Sequence, residues 1–161
     1  MKKRMFLVCA LVLAICPGTH AANKGGLGAM FGALIGGAVG SAAGKSMADP
    51  QTIEKALLTM TNQLNQKMPM TVDADTRLDN ATAGQGSRFT YNYTIVSATS
   101  REVDRAAFPA FLTKLKAGVC SSPDMAIFFK YGVTVGYSYR ASDGVFITKI
   151  DITPKDCGYP V

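Results

Sequence analysis

Few side chains in this sequence have the type and spacing that chemistry requires. Asp73, Asp75 and Asp79 form the one acidic cluster. Paired carboxylates at such spacing serve glycoside hydrolysis or hold Ca²⁺. Here Asp73 and Asp75 fall on the same face of an expected strand, beside Arg77, and calcium loops need a denser oxygen set. A solvated strand face is the favoured reading. Tyr91, Tyr93, Tyr137 and Tyr139 alternate along two expected strands. Such rings either stack on a ligand or pair across strands inside a core, and strict alternation favours the core. Asn80-Ala81-Thr82 and Asn92-Tyr93-Thr94 fit the glycosylation pattern, which matters only in a eukaryotic secretory route. His20 is the single histidine and lies in a segment read below as removable. Without it, Ser-His and Cys-His catalysis and histidine metal sites are excluded. No catalytic residue, metal or cofactor is expected, and the chain reads as no enzyme.

The first 21 residues have the layout of a secretory signal peptide. Lys2, Lys3 and Arg4 form the charged start, and Met5 to Ile15 is an uninterrupted apolar run of 11 residues. Pro17-Gly18 breaks the helix, and Thr19-His20-Ala21 offers a cleavage site before Ala22. The apolar run is too short to span a bilayer, which takes about 20 residues. Leu13-Ala14-Ile15-Cys16 resembles a bacterial lipobox, but bulky Ile15 and the following Pro17 depart from that pattern. Cleavage takes away two of the four cysteines, Cys9 and Cys16. Cys120 and Cys157 remain, an even pair in an exported chain, and one disulfide follows.

Residues 25–44 carry no charge and repeat glycine every four residues: Gly28, Gly32, Gly36, Gly40 and Gly44. Ala29, Ala33, Gly37 and Ser41 form a second small row beside them. On a helix these two rows make a nearly bare face, while Met30, Phe31, Leu34, Ile35 and Val39 lie on an apolar one. In water each glycine costs about 1 kcal/mol against alanine, whereas lipid makes helix the default. A bare face then lets another helix approach closely. Lys24 and Lys45 stand at the two ends, placed to snorkel. The segment resembles the glycine-zipper segments of bacterial envelope proteins. That resemblance implies membrane association and self-association through the zipper helix. A flexible Gly/Ala linker is the competing reading, but it gives no reason for the register. Gly44-Lys45-Ser46 resembles the end of a phosphate-binding loop, yet the glycine that motif needs is Val39 and no strand precedes it. Nucleotide binding is excluded.

The elements that would position these groups begin at Asp49. Asp49-Pro50 predicts a capped helix start, and Ile53, Leu57, Met60, Leu64 and Met68 make one apolar stripe closed by Pro69. Residues 72–79 and 88–95 alternate as two strands, with Asn80 to Ser87 as the loop between them. Residues 101–118 predict a helix that Pro109 breaks or restarts and Gly118 stops. Ser122-Pro123-Asp124 opens a short helix closed by Gly132. Residues 133–140 and 145–153 flank Asp143-Gly144, a strong hairpin signal. The expected fold class is α+β: a small, mainly antiparallel four-stranded sheet, helices on one face and one disulfide. The domain plan is 1–21 signal peptide, 22–48 glycine-zipper segment and 49–161 periplasmic domain.

The net charge of +6 is an N-terminal effect. From Asp49 onward 12 basic residues face 11 acidic ones, which argues against a nucleic-acid footprint. The composition, 48% apolar and 17% charged, excludes a disordered chain. The leading reading is therefore a non-enzymatic bacterial envelope protein that binds a membrane, itself and an unidentified envelope protein. The domain's layout is similar to that of the small periplasmic pilot proteins of secretion systems, a likeness of plan and not of motif. The alternative is a periplasmic immunity or inhibitor protein that plugs a toxin or enzyme with the Asn80–Ser87 loop.

Overall fold

The computed structural model of the chain describes residues 32–34 and 49–160. The first long element is helix α1 (Pro50–Asn65). Its start is the predicted one: the Asp49 carboxylate accepts the Thr52 backbone N–H at 3.0 Å and the Thr52 hydroxyl at 2.6 Å, and Pro50 occupies the first turn. Those hydrogen bonds from Thr52 hold the Asp49 carboxyl below its ordinary pKa. Ile53, Ala56, Leu57 and Met60 are buried on one side of α1.

Five strands follow: β1 (Met70–Thr71), β2 (Thr76–Gly84), β3 (Arg88–Ile95), β4 (Thr134–Ala141) and β5 (Phe146–Ile152). Between β3 and β4 run a 3₁₀ turn (Arg105–Ala107), helix α2 (Phe108–Ser121) and helix α3 (Pro123–Lys130). A second 3₁₀ turn (Pro154–Cys157) ends the fold. The strands lie in chain order in one sheet. All neighbours are antiparallel except β3 and β4, which run parallel in the register Tyr91↔Tyr137 and Tyr93↔Tyr139.

The fold class is α+β, as expected, but the sheet is five-stranded and mixed rather than four-stranded and mainly antiparallel. Two hairpins are joined by a helical crossover, and a crossover of a dozen or more residues is what a parallel pair needs. Asn80 to Ser87 is not a loop. β2 continues to Gly84, and a short turn reaches Arg88, with Gly86 at φ 71° and its N–H bonded to Glu54 at 2.8 Å. Gly118 does not stop α2, which runs on to Ser121.

Helices cover one sheet face. Leu57, Met60, Leu115, Val119, Phe128 and Phe129 meet Phe89, Tyr91, Val135, Tyr137 and Ile152 in a single core. The predicted Cys120–Cys157 disulfide is formed, with Cα atoms 5.0 Å apart, and ties the end of α2 to the chain after β5. Lys116 on α2 reinforces the same junction through Asp156, at 2.7 Å.

Of the glycine segment, residues 32–34 are described and are helical. Leu34 packs on the core, Ala33 is exposed, and a methyl group placed on Gly32 would stand 3.8 Å from Ile127 of α3. The signal segment and the remaining row members, Gly28, Ala29, Gly36, Gly37, Gly40, Ser41 and Gly44, lie outside the described residues. Among the described residues, no helix is long and apolar enough to cross a membrane.

Candidate functional site

The tyrosines take the core position. Parallel pairing stacks Tyr93 on Tyr139 at 5.1 Å between ring centroids and sets Tyr91 beside Tyr137 at 5.5 Å. Phe89 and Phe111 close the row edge-on, against Tyr91 and Tyr139 respectively. Burial pushes all four phenols well above their ordinary pKa; neighbouring Tyr93 and Asp124 add to the effect at Tyr91, and Tyr93 and Asp73 at Tyr139. The row is a rigid, uncharged floor rather than a ligand platform.

The acidic cluster does not assemble. Asp73 and Asp75 sit in the bend before β2 and not on a strand face, and the Asp73 carboxylate accepts the Asp75 N–H at 2.8 Å. Such short-range Asx bonding is what aspartate does at turns. Asp79 is bound by Arg77, at 2.6 Å, and by the Thr94 hydroxyl. Among the described residues, no group of three His, Cys, Asp or Glu side chains is placed to hold a metal ion.

What remains available is the sheet face opposite the helices. Its middle is a shallow depression of about 360 Å³ lined by Asp79, Asn80, Asn92, Tyr93, Ser138 and Arg140. Asn92 donates to Asn80 at 2.8 Å, so the amides are mutually oriented. At the end where β3 and β4 finish, the surface turns apolar: Val96, Val145 and Phe146 are exposed, Phe146 by 51%. All three stand at this end of the sheet, where residues 96–100 are laced to the β4–β5 turn. Ser142 N–H bonds the Ala98 carbonyl at 3.0 Å, and the Ser100 hydroxyl bonds Asp143 at 2.8 Å. Ser100 also holds the Asp143 carboxyl below its usual pKa. Arg140 lies between the depression and this rim, registered against Phe146 and donating to the Gly144 carbonyl at 3.2 Å. Exposed aliphatic and aromatic groups beside oriented amides and an arginine suit recognition of a protein surface.

Sequence reasoning did not single out these rim residues. The signal was present: Val145 and Phe146 are adjacent apolar residues directly after the Asp143-Gly144 turn, and alternation sends at least one of two such neighbours away from the core.

At the opposite end of this face, Arg88 of β3 reaches Asp151 of β5 at 3.1 Å, passing over β4. The crossing is possible because the residue beneath is Gly136. A Cβ there would lie 2.7 Å from the Thr90 hydroxyl and 2.8 Å from the Asp151 carboxylate.

No protein-family model and no curated protein matches the sequence. Solved structures do match in fold. A candidate secreted protein of Pseudomonas aeruginosa superposes with a TM-score of 0.59 at 16% identity, covering 71% of this chain and 99% of that one. Pilotin EpsS of the Vibrio vulnificus type 2 secretion system gives 0.56 at 13% identity, over 67% of this chain and 94% of its own. The type II secretion system pilotin AspS of Vibrio cholerae gives 0.53 at 15%, with the same two coverages. The chain thus shares its fold with two secretion-system pilotins over nearly their whole length.

Proposed function

We propose that this chain is a non-enzymatic accessory protein of the bacterial envelope, in which the domain from Asp49 onward binds a component of a secretion or envelope-assembly machine. One observation carries the reading: two pilotins share the fold over 94% of their own length, so the domain corresponds to the whole pilotin unit and not to a common fragment of it. The disulfide is in keeping with an oxidising compartment and with the export signal at residues 1–21. In this reading the signal is cleaved, and the glycine segment at 22–48 seats the protein at a membrane and packs with its own kind through Gly28, Gly32, Gly36, Gly40 and Gly44.

The Val96, Val145 and Phe146 rim supplies the contact for the partner, with Arg140 and the Asn80–Asn92 pair fixing its orientation. The segment that the inhibitor alternative would use as its plug is strand followed by a short turn. The test is crosslinking in the native envelope with the full chain, comparing wild type with Phe146→Asp and Val96→Asp. Loss of one specific envelope adduct in both variants, with unchanged thermal melting, supports the assignment. An undiminished adduct in both removes the rim from it, and absence of any envelope adduct in wild type overturns the function.

A further inference from the structure

The two edges of the sheet are treated differently. An edge strand presents unpaired N–H and C=O groups, and proteins guard such edges explicitly. On the β2 side the guard is threefold. β1 pairs with Arg77 and Leu78. The Asn65 side chain then takes the place of a strand, accepting the Ala81 N–H at 2.7 Å and donating to the Ala81 carbonyl at 2.9 Å. Glu54 takes the Gly86 N–H beyond it. On the other side β5 pairs only with β4; an irregularity at Ile147 disturbs its first residues, and from Thr148 to Ile152 its outer edge carries neither proline nor a capping side chain among the described residues.

Lys149 would ordinarily be the guard of such an edge, because two lysines meeting across a strand pair repel. Asp151 stands two residues further on, on the same sheet face, and changes the outcome. In an antiparallel pairing of two copies centred on Ile150, each Lys149 falls opposite the other copy's Asp151, and the two contacts are equivalent by symmetry. Arg88 already holds Asp151 in place from β3, at 3.1 Å, and Lys149 of the same chain lies 3.2 Å from it. The half-buried Ile150 would meet its counterpart on the helix-covered side. We propose that β5 is a self-complementary edge through which two copies of this chain join antiparallel, extending the sheet from five strands to ten.

The experiment is sedimentation of the full exported chain at about 100 µM in physiological salt, with Lys149→Asp, Asp151→Lys and a mixture of the two variants. Wild type is expected to dimerise. Each variant alone places like charges opposite each other at both contacts, and its dimer should weaken at least tenfold. The mixture places opposite charges together again and should restore a heterodimer. That rescue also shows that both variants are folded, and it separates this edge from association through the glycine segment, which the charge changes do not touch. A monomeric wild type overturns the proposal, as does a dimer indifferent to both charge changes or a mixture that fails to recover. A wild type that stays monomeric but pairs β5 with a strand of another envelope protein likewise overturns it.

Discussion

Raising the pH tests the tyrosine floor directly. Burial holds the phenols of Tyr91, Tyr93, Tyr137 and Tyr139 above their ordinary value of 10.0, so the folded chain keeps four protons that the unfolded chain releases near pH 10. A group that holds its proton more tightly when folded stabilises fully below the unfolded pKa, and that stabilisation is lost as pH climbs above it. At pH 11 each unfolded phenol gains about 1.4 kcal/mol from ionising, so four take away roughly 5–6 kcal/mol. A domain of this size has about 5–15 kcal/mol in all. Cooperative unfolding is therefore expected between about pH 11 and pH 12, with stability falling by about 5 kcal/mol per pH unit once pH 10 is passed. Far-UV circular dichroism follows the fold, and absorbance at the phenolate band follows ionisation. The four buried phenols should ionise together with loss of the fold and not before it. Tyr137→Phe removes one of the four protons and should cut the slope by about a quarter. Reversible ionisation of all six tyrosines near pH 10 with an unchanged dichroism spectrum would refute the buried floor.

Three further outcomes follow from named contacts. Gly136→Ala pushes a methyl into Thr90 and Asp151 and should cost about 1–3 kcal/mol in urea unfolding, with Gly136→Val worse; a neutral alanine would mean that the Arg88–Asp151 crossing is not seated as described. Asn65→Ala removes both hydrogen bonds to Ala81 and should cost about 2 kcal/mol, and Asn65→Asp, which keeps the acceptor but turns an oxygen on the Ala81 carbonyl, should be no better at neutral pH. Cys120→Ser with Cys157→Ser opens a loop spanning 37 residues of sequence and should cost about 4 kcal/mol, read as a lowered urea midpoint in the double variant and in the reduced wild type alike.

Local signals carried much of this architecture. The Asp49 cap, the apolar stripe of α1, the Asp143-Gly144 turn and the Cys120–Cys157 bridge are each written in a few neighbouring residues or in a count. What escaped depends on partners distant in sequence. A strand's alternation is the same whether its neighbour runs parallel or antiparallel, so the β3–β4 pairing was invisible in residues 88–95 and 134–141. The irregularity between Leu78 and Asn80 breaks the period of β2, and its polar second half, Asn80 to Gly84, then looks like a loop. β1 has two residues, too few for any period. Asn65 reads as an ordinary helix-end residue until Ala81 arrives beside it. The rim was half legible, because the exposed Val145–Phe146 pair is visible in sequence, but its junction with Val96 depends on the Ser142–Ala98 and Ser100–Asp143 bonds.

Where recognition takes place follows from what the core has already used. Stacking commits the rings of the four tyrosines to one another on the helix-covered side, where they fix strand positions. The β2 edge is closed by β1, Asn65 and Glu54. Among the described residues, two surfaces of the sheet itself stay open, the face ending in Val96, Val145 and Phe146, and the outer edge of β5. They meet at the start of β5 but differ in chemistry, one apolar beside oriented amides, the other main chain flanked by Lys149 and Asp151. Substituting Phe146 should therefore leave self-pairing intact, since an antiparallel pairing centred on Ile150 puts residue 146 opposite residue 154, past the end of the strand. Reversing either charge alone, by Lys149→Asp or Asp151→Lys, should leave the envelope adduct intact. If either change abolishes both behaviours, the two surfaces are one site, and the separation of partner binding from self-association fails.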